Sequence, residues 1–141
     1  MELKDYGKQP FVVDIEDFTT SNTNFRTAVW TGEHLQMTLM SIPVDGEIGL
    51  EIHTDTDQFL RIEQGKTRVY MGDSEDDLDF EEEAEEDFAI FIPAGKWHNI
   101  VNTGDEEVKI YSIYAPSHHP FGTIHETKEI ADEAEALEHA E

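Results

Sequence analysis

Residues Asp87–Asn102 read DFAIFIPAGKWHNIVN. An apolar run, Phe88–Ile92, stops at Pro93-Ala94-Gly95, and a second run, Trp97–Asn102, starts two residues later. Proline cannot donate to a strand ladder and glycine supplies a tight turn, so the stretch predicts strand, turn, strand. His98 shares parity with Ile100 and Asn102 on the second strand, which sets an imidazole on a face that also carries an aliphatic side chain.

The same punctuation recurs on either side. Phe25–Trp30, Leu35–Ile42, Gln58–Glu63, Lys66–Met71 and Val108–Ala115 are β-branched or aromatic runs bounded by Gly, Pro or Asn/Asp turns. Phe11–Ile15 is a further strand candidate. Glu47–His53 alternates, with Ile48, Leu50 and Ile52 on one face and Gly49, Glu51 and His53 on the other. Met1–Pro10 reads as a loose arm, and Asp17–Asn24 as a loop by its Ser/Thr/Asn content. Gly72–Asp87, the most acidic segment, reads as a solvated loop or irregular hairpin. Its Asp73, Glu75, Asp77, Asp79 spacing lacks the central glycine and flanking helices of a calcium loop. Thr127–Glu141 spaces Ile130, Ala134 and Leu137 helically behind a possible Thr127 N-cap. About nine strands at short intervals with no helix between them predict an antiparallel sandwich or barrel.

Composition limits the partners. The 141 residues suit one domain. They hold 33 Asp+Glu against 9 Lys+Arg, a formal charge of −24, which argues against nucleic acid and against anionic membranes. Such a charge fits either a disordered acidic chain or a folded protein from a salt-rich cytoplasm. The strands throughout and the dispersed acids favour the second, where a Debye length of ~3 Å at 1 M salt screens the self-repulsion. There is no cysteine, hence no disulfide or thiolate metal site. No run is long and apolar enough for a membrane span, and the N-terminus lacks a signal-peptide core, so the expected location is cytoplasmic.

The chemistry concentrates in a second stretch, Gly46–Gly65, GEIGLEIHTDTDQFLRIEQG. His53 and Asp55 share parity, Gln58 opens the next strand with Leu60 and Ile62, and His98 lies at the end of its own strand. Two imidazoles, a carboxylate and a carboxamide near strand ends suit a divalent metal: Fe, Mn, Ni, Co or Zn. Without an ion, the same residues would be a polar loop. Glu51 has the parity of His53; it orients His53 or acts as a general base, or else points to solvent at a sheet edge. Tyr111 and Tyr114 take opposite faces, so one faces the pocket. Trp97 is read as packing. His118, His119 and His125 follow the last strand and are read either as a lid or dimer contact, or as scattered surface residues. His34 and His139 have no assigned role.

The two stretches together resemble the cupin superfamily. Its second motif runs Gly, five residues, Pro-x-Gly, two residues, His, three residues, Asn. Here Asp87 replaces the Gly, and Pro93, Gly95, His98 and Asn102 match. In the first motif, His53 takes the first His position, Asp55 the second and Gln58 the Glu position, with Gly65 closing it and a shortened loop before Gln58. The resemblance spans Leu35 to Pro116. It implies an all-β fold, a single antiparallel β-barrel of the jelly-roll type with a short C-terminal helix. The barrel core is expected at about residues 25–116, with an arm over 1–24 and a tail over 117–141. It also implies a homodimer and a metal held by His53, Asp55, Gln58 and His98, with Asp57 in reserve. Three His and one Glu in such cupins carry a net ligand charge of −1, and so does the present set. Small cupins of this kind resemble mannose-6-phosphate-type isomerases and dioxygenases. The expected function is metal-dependent chemistry on a small organic molecule, or metal-free binding of one. A phosphosugar is disfavoured, because Arg61 and Lys96 are the nearest basic residues and Arg61 has the wrong parity.

Overall fold

The structure, a computed structural model, describes residues 1–138; His139 lies outside them. Its elements run α1 (Ile15–Ser21), β1 (Arg26–Thr31), β2 (Gln36–Ile42), β3 (Asp57–Gln64), β4 (Lys66–Gly72), β5 (Phe80–Glu85), β6 (Ala89–Ile92), β7 (Trp97–Asn102), β8 (Val108–Ala115), β9 (Ile124–His125) and α2 (Lys128–Glu138). The strands form two antiparallel sheets, β6-β3-β8-β2-β1-β9 and β5-β4-β7. Alternating residues of β3, β4 and β7 turn inward. Met40, Ile42, Leu60, Ile62 and Ile110 of the large sheet meet Val69, Met71, Ala84 and Ile100 of the small one in a single core. Each such side chain removed from water contributes roughly 1.5–3 kcal/mol before chain entropy is counted.

The expected single barrel is not closed among the described residues. Glu47–His53, expected as a strand, makes only isolated bridges, Glu47 with Val101 and Glu51 with His98. Gly49 between them has φ +106, a conformation that interrupts the pleat. The jelly-roll layering is present, with this irregular segment lying along the free side of β7.

Three further segments differ from expectation. Phe11–Ile15 is not a strand: the Asp14 side chain accepts from the Asp17 amide at 3.1 Å and caps α1, whose first turn carries Glu16 and Asp17. The helix therefore occupies most of the stretch expected as a loop. The N-terminal arm is not loose. Leu3, Tyr6, Phe11, Val13 and Ile15 pack against Phe18, Val29, Met37 and Leu39 on the outer face of the large sheet. With both faces covered, β2 is buried along its whole length, its polar Gln36, Thr38 and Ser41 included. Within the acidic segment, Phe80–Glu85 forms β5 along β4, with Ala84 inward and its acids outward. Arg68 on β4 pairs with Glu81 and Glu83, and the charges protect this edge from further strand pairing. The C-terminal helix begins where expected, with the Ile130 amide donating to Thr127 Oγ1 at 3.2 Å.

Candidate metal centre

The interior of the two-sheet stack changes character along its length. At one end β8 turns Val108 and Ile110 inward; at the other it turns Ser112 and Tyr114 inward, and all four are buried. Gln36 and Thr38 on β2 and Gln58 on β3 line up opposite this polar end through the pairs Gln36↔Tyr114, Thr38↔Ser112 and Gln58↔Tyr114. The apolar half supplies stability and leaves the polar half to hold the site.

Glu51 and His98 face each other directly. The His98 amide donates to the Glu51 carbonyl at 2.9 Å, and the Glu51 amide to the His98 carbonyl at 3.0 Å. Residues so opposed have close side chains. Glu51 Oε1 lies 3.3 Å from His98 Nε2 and 3.4 Å from His53 Nε2. One ligand atom from each of Glu51, His53 and His98 falls within 4.8 Å of the others. Among the described residues this is the only such group, so Asp73–Asp79 gathers none.

The cluster is short of hydrogen-bond donors. His98 Nδ1 donates to the Lys96 carbonyl at 3.0 Å, because a carbonyl can only accept. In a neutral imidazole Nε2 then carries a lone pair, and it faces a carboxylate oxygen, which is also an acceptor. His53 has no hydrogen-bond partner at either nitrogen, and Gln58 Oε1 is likewise buried without one. Gln58 Nε2 is committed, donating to Ser112 Oγ at 2.7 Å, so the carboxamide has its oxygen free. A positive species among these lone pairs, whether imidazole protons or a metal ion, resolves the conflict, and nitrogen and oxygen donors of this kind fit the metals named above. Burial by itself would raise the Glu51 carboxyl, but the two imidazoles outweigh it and hold it well below the usual carboxylate range.

The segment after β8 folds back over this cluster. Gln36 anchors it: Nε2 donates to the His119 carbonyl at 2.8 Å, while Oε1 accepts from the amides of His118 and His119 at 3.2 and 2.9 Å. The His118 ring centroid comes within 4.0 Å of that of His53. Tyr114 touches His53, His118 and His119, and is the tyrosine that faces the site; Tyr111 packs on the outer face. Burial first, and then the neighbouring charges of His53 and Arg26 against it, push the His118 imidazole down to about 4; burial and Arg26 push that of His119 down to about 2. Burial raises the Tyr114 hydroxyl, which stays a proton donor.

Of the expected ligands, His53 and His98 meet around this point; Gln58 is buried on β3 with its Nε2 on Ser112, and Asp55 is not part of the group. A bend at Thr54–Asp55 ends the extended run, turns Thr56 inward and leaves Asp55 exposed. Asp57, the reserve carboxylate, accepts from the Ala94 amide at 2.9 Å and holds the Pro-x-Gly turn. The carboxylate at the cluster is Glu51, which the strand parity had placed beside His53. Arg61 and Lys96 are both engaged at the surface, Arg61 with Glu63 and Asp87 and Lys96 with Asp73. Sequence reasoning missed Arg26, a basic residue in the strand FRTAVW, and Gln36, the second residue of LQMTLMSI. A charged residue inside an apolar strand of a chain with so few bases was the available signal.

Residues 38–114 match the model of the Cupin_2 family, the Cupin domain. The chain is 59% identical over 94% of its length to the uncharacterized protein YrkC of Bacillus subtilis, covering 72% of that protein. It is 38% identical over 82% of its length to the uncharacterized protein L612 of Acanthamoeba polyphaga mimivirus, covering 71% of it. The crystal structure of BH2720 from Bacillus halodurans superimposes with a TM-score of 0.91 at 59% identity, over 92% of this chain and 98% of that one. No helix among the described residues is long and apolar enough to cross a membrane. With two-sheet layering, an intact Pro-x-Gly-x-x-His turn and this family match over more than half its length, the chain belongs to the cupin family.

Proposed function

We propose that this cupin is a mononuclear metal protein acting on a small organic molecule, with Glu51, His53 and His98 as ligands and the Gln58 carboxamide oxygen beside them. The observation that carries the reading is the buried acceptor pair Glu51 Oε1 and His98 Nε2, 3.3 Å apart, with both His53 nitrogens and Gln58 Oε1 left without a hydrogen-bond partner. Asp55 drops out of the ligand set and Glu51 takes the carboxylate role, which keeps the ligand charge at −1. A bound divalent ion supplies Lewis acidity or a place for O₂. The protein supplies the rest. Gln58 Oε1 accepts from a substrate hydroxyl or a water. Tyr114, still protonated, donates to developing negative charge, and the neutral imidazole of His118 packs over His53.

The test is metal analysis of protein purified without added metal. One equivalent of Fe, Mn, Ni, Co or Zn, lost in both His53→Ala and His98→Ala, supports the reading. A metal-free wild type whose folding is unaltered in those variants sinks it in favour of a non-catalytic binding protein. Oxygen uptake during turnover then separates dioxygenase-like from isomerase-like chemistry.

The same reading includes a homodimer and salt-dependent stability. Phe88 and Phe91 stand exposed at the edge strand β6, a surface that a second copy would cover. A sedimentation coefficient that stays monomeric at high concentration removes the dimer. Surface cations such as Arg61, Arg68 and Lys128 are already paired with acids, so most of the −24 charge faces solvent uncompensated. A melting temperature that does not rise toward molar KCl removes the salt dependence.

A further inference from the structure

The candidate ligands are closed off from solvent. His53 is 4% exposed and His98 1%. An ion or a substrate reaches such residues only if a covering part of the chain moves. Two parts stand in the way. One is α2, across a cleft that Glu51 lines. The other is the return after β8, whose His118 ring lies on His53. Helix α2 is fixed by Ala131, which belongs to the main core. The return is held differently. From Pro116 to Thr123 only His119 is buried. Polar bonds rather than apolar burial keep this segment down, and segments of that kind open before the core does.

The bonds form one directed chain. Gln36 uses all four of its hydrogen-bonding positions: Oε1 accepts from the amides of His118 and His119, and Nε2 donates to the His119 carbonyl and, at 2.9 Å, to Thr31 Oγ1. Thr31 Oγ1 in turn donates to Asp5 Oδ2 at 2.5 Å. The same Oδ2 accepts from the Gly122 amide at 3.0 Å, on the far side of the return. Asp5 Oδ1 accepts from the amides of Thr31 and Gly7 at 2.9 and 3.0 Å. One carboxylate of the N-terminal arm thus takes four donors, and bonds to a charged acceptor are the stronger kind. The arm itself is tied to β1, with the Tyr6 amide donating to the Val29 carbonyl at 2.9 Å and Trp30 Nε1 to the Gln9 carbonyl at 2.8 Å.

We propose that the return, residues 116–123, is the gate of the metal centre, and that Asp5 is its latch, acting through Thr31 and Gln36. Asp5 belongs to the positioning residues: it holds the segment that covers His53 and is no part of the Glu51–His53–His98 group. What passes the gate rests on the metal reading; the hydrogen-bonded chain does not. A latch has its own kinetic signature. Releasing it raises the open fraction of the empty and the loaded protein alike, so metal association and dissociation quicken by the same factor and affinity is unchanged.

The experiment is Co(II) binding to the chelator-stripped 141-residue chain, with association followed by stopped flow and dissociation by competition with excess chelator. Amide hydrogen exchange is measured on the same proteins without metal. In Asp5→Ala both rates rise about tenfold, Kd stays within about threefold, and the His119 and Gly122 amides exchange about tenfold faster while the β3–β8 ladder does not change. Thr31→Val keeps the shape, removes the relay between Asp5 and Gln36, and gives the same changes to a smaller extent. Asp132→Asn, in the cleft beside α2, leaves both rates within about twofold. Unchanged cobalt rates in Asp5→Ala, or rates that respond to Asp132→Asn instead, place the entry at the α2 cleft and overturn the gate. A Kd weakened through dissociation alone makes the return a source of a ligand, which also overturns it. Faster exchange along the β3–β8 ladder shows that Asp5→Ala loosens the whole fold; Thr31→Val then decides, and wild-type rates and exchange in it remove the latch. A wild type that takes up no cobalt sinks the metal reading, and exchange alone then judges the latch. His119 and Gly122 amides that quicken together uphold it, and a His119 amide that keeps its wild-type rate in Asp5→Ala removes it.

Discussion

The two histidine-bearing stretches, Asp87–Asn102 and Gly46–Gly65, began with the same apparent grammar and ended with different structures. The first is a regular strand, turn and strand: β6 and β7 pair with β3 and β4 over four and six residues, and the burial of β7 alternates without a break. The second bridges β7 at two points, turns at Gly49 and bends at Asp55 before β3 starts. Period-two reasoning is as good as the ladder that enforces it. Where backbone bonds fix every residue, parity places side chains; where they do not, parity carries only from one bridge to the next residue but one. Glu51 is bridged and His53 follows it on the same face. Asp55, two further on, lies past the bend and is lost to solvent.

The largest expected effect breaks the comparison at the core. Ile100 on β7 is fully buried, whereas Leu50 in the irregular stretch is 41% exposed. Ile100→Ala should cost about 2–5 kcal/mol in urea unfolding and Leu50→Ala about 1 kcal/mol or less. Equal costs would mean that the irregular stretch is packed as tightly as the strand.

Next comes the carboxylate that each view of the sequence would choose. Glu51→Gln should weaken metal binding on the order of 100-fold, because it removes the charged ligand, and Asp55→Asn should leave it within about twofold. Metal titration of the two variants decides between them, and the reverse order would restore Asp55 as the ligand.

How much was legible follows the same line. The layering of strands, the Pro-x-Gly turn and His98 were readable because glycine, proline and alternation act locally. The helix α1 was not, because its single N-cap at Asp14 competed with a β-branched run that reads as a strand until the outer face of the large sheet is known to need covering. Arg26 was hidden for the opposite reason: nothing local in FRTAVW marks the base as buried, and its place against His125 of β9 is a fact of tertiary structure. Gln36 gains its role only when residues 118 and 119 return across the sheet to meet it.

That returning segment gives a pH test. The His119 imidazole is buried and titrates near 2 in the folded protein against about 6.5 when unfolded, first by burial and then by Arg26. Between those values the unfolded chain binds the extra proton, so stability is fully present above about pH 6.5 and is lost as pH falls, by up to about 1.4 kcal/mol per unit. His119→Gln should flatten the drop between pH 6.5 and 5.5 by about 1 kcal/mol in urea unfolding, and identical slopes in wild type and variant would show that His119 is not held neutral in the fold.

The smallest effect is a difference between two glycines, one in each stretch. Gly95, in the Pro-x-Gly turn, has φ +84 and open space where a Cβ would go. Gly49 has φ +106, with only the flexible end of Lys128 close to such a Cβ, at 3.2 Å. In neither place is there a hard clash, so the cost of Gly→Ala is backbone strain, about 1–2 kcal/mol. The left-handed well lies near +57, and Gly49 is farther from it, so Gly49→Ala should cost more than Gly95→Ala, by about 1 kcal/mol or less. If Gly49→Ala is the cheaper change, the backbone there relaxes toward an ordinary strand when given an alanine, and the irregularity that turns Glu51 into the site is a preference of glycine alone. If it is the dearer one, the bridges at Glu47 and Glu51 and the Gly49 amide's bond to Asn99 Oδ1 at 2.9 Å hold the turn in place against the strain. The irregular stretch is then as fully determined as the regular one, by fewer bonds.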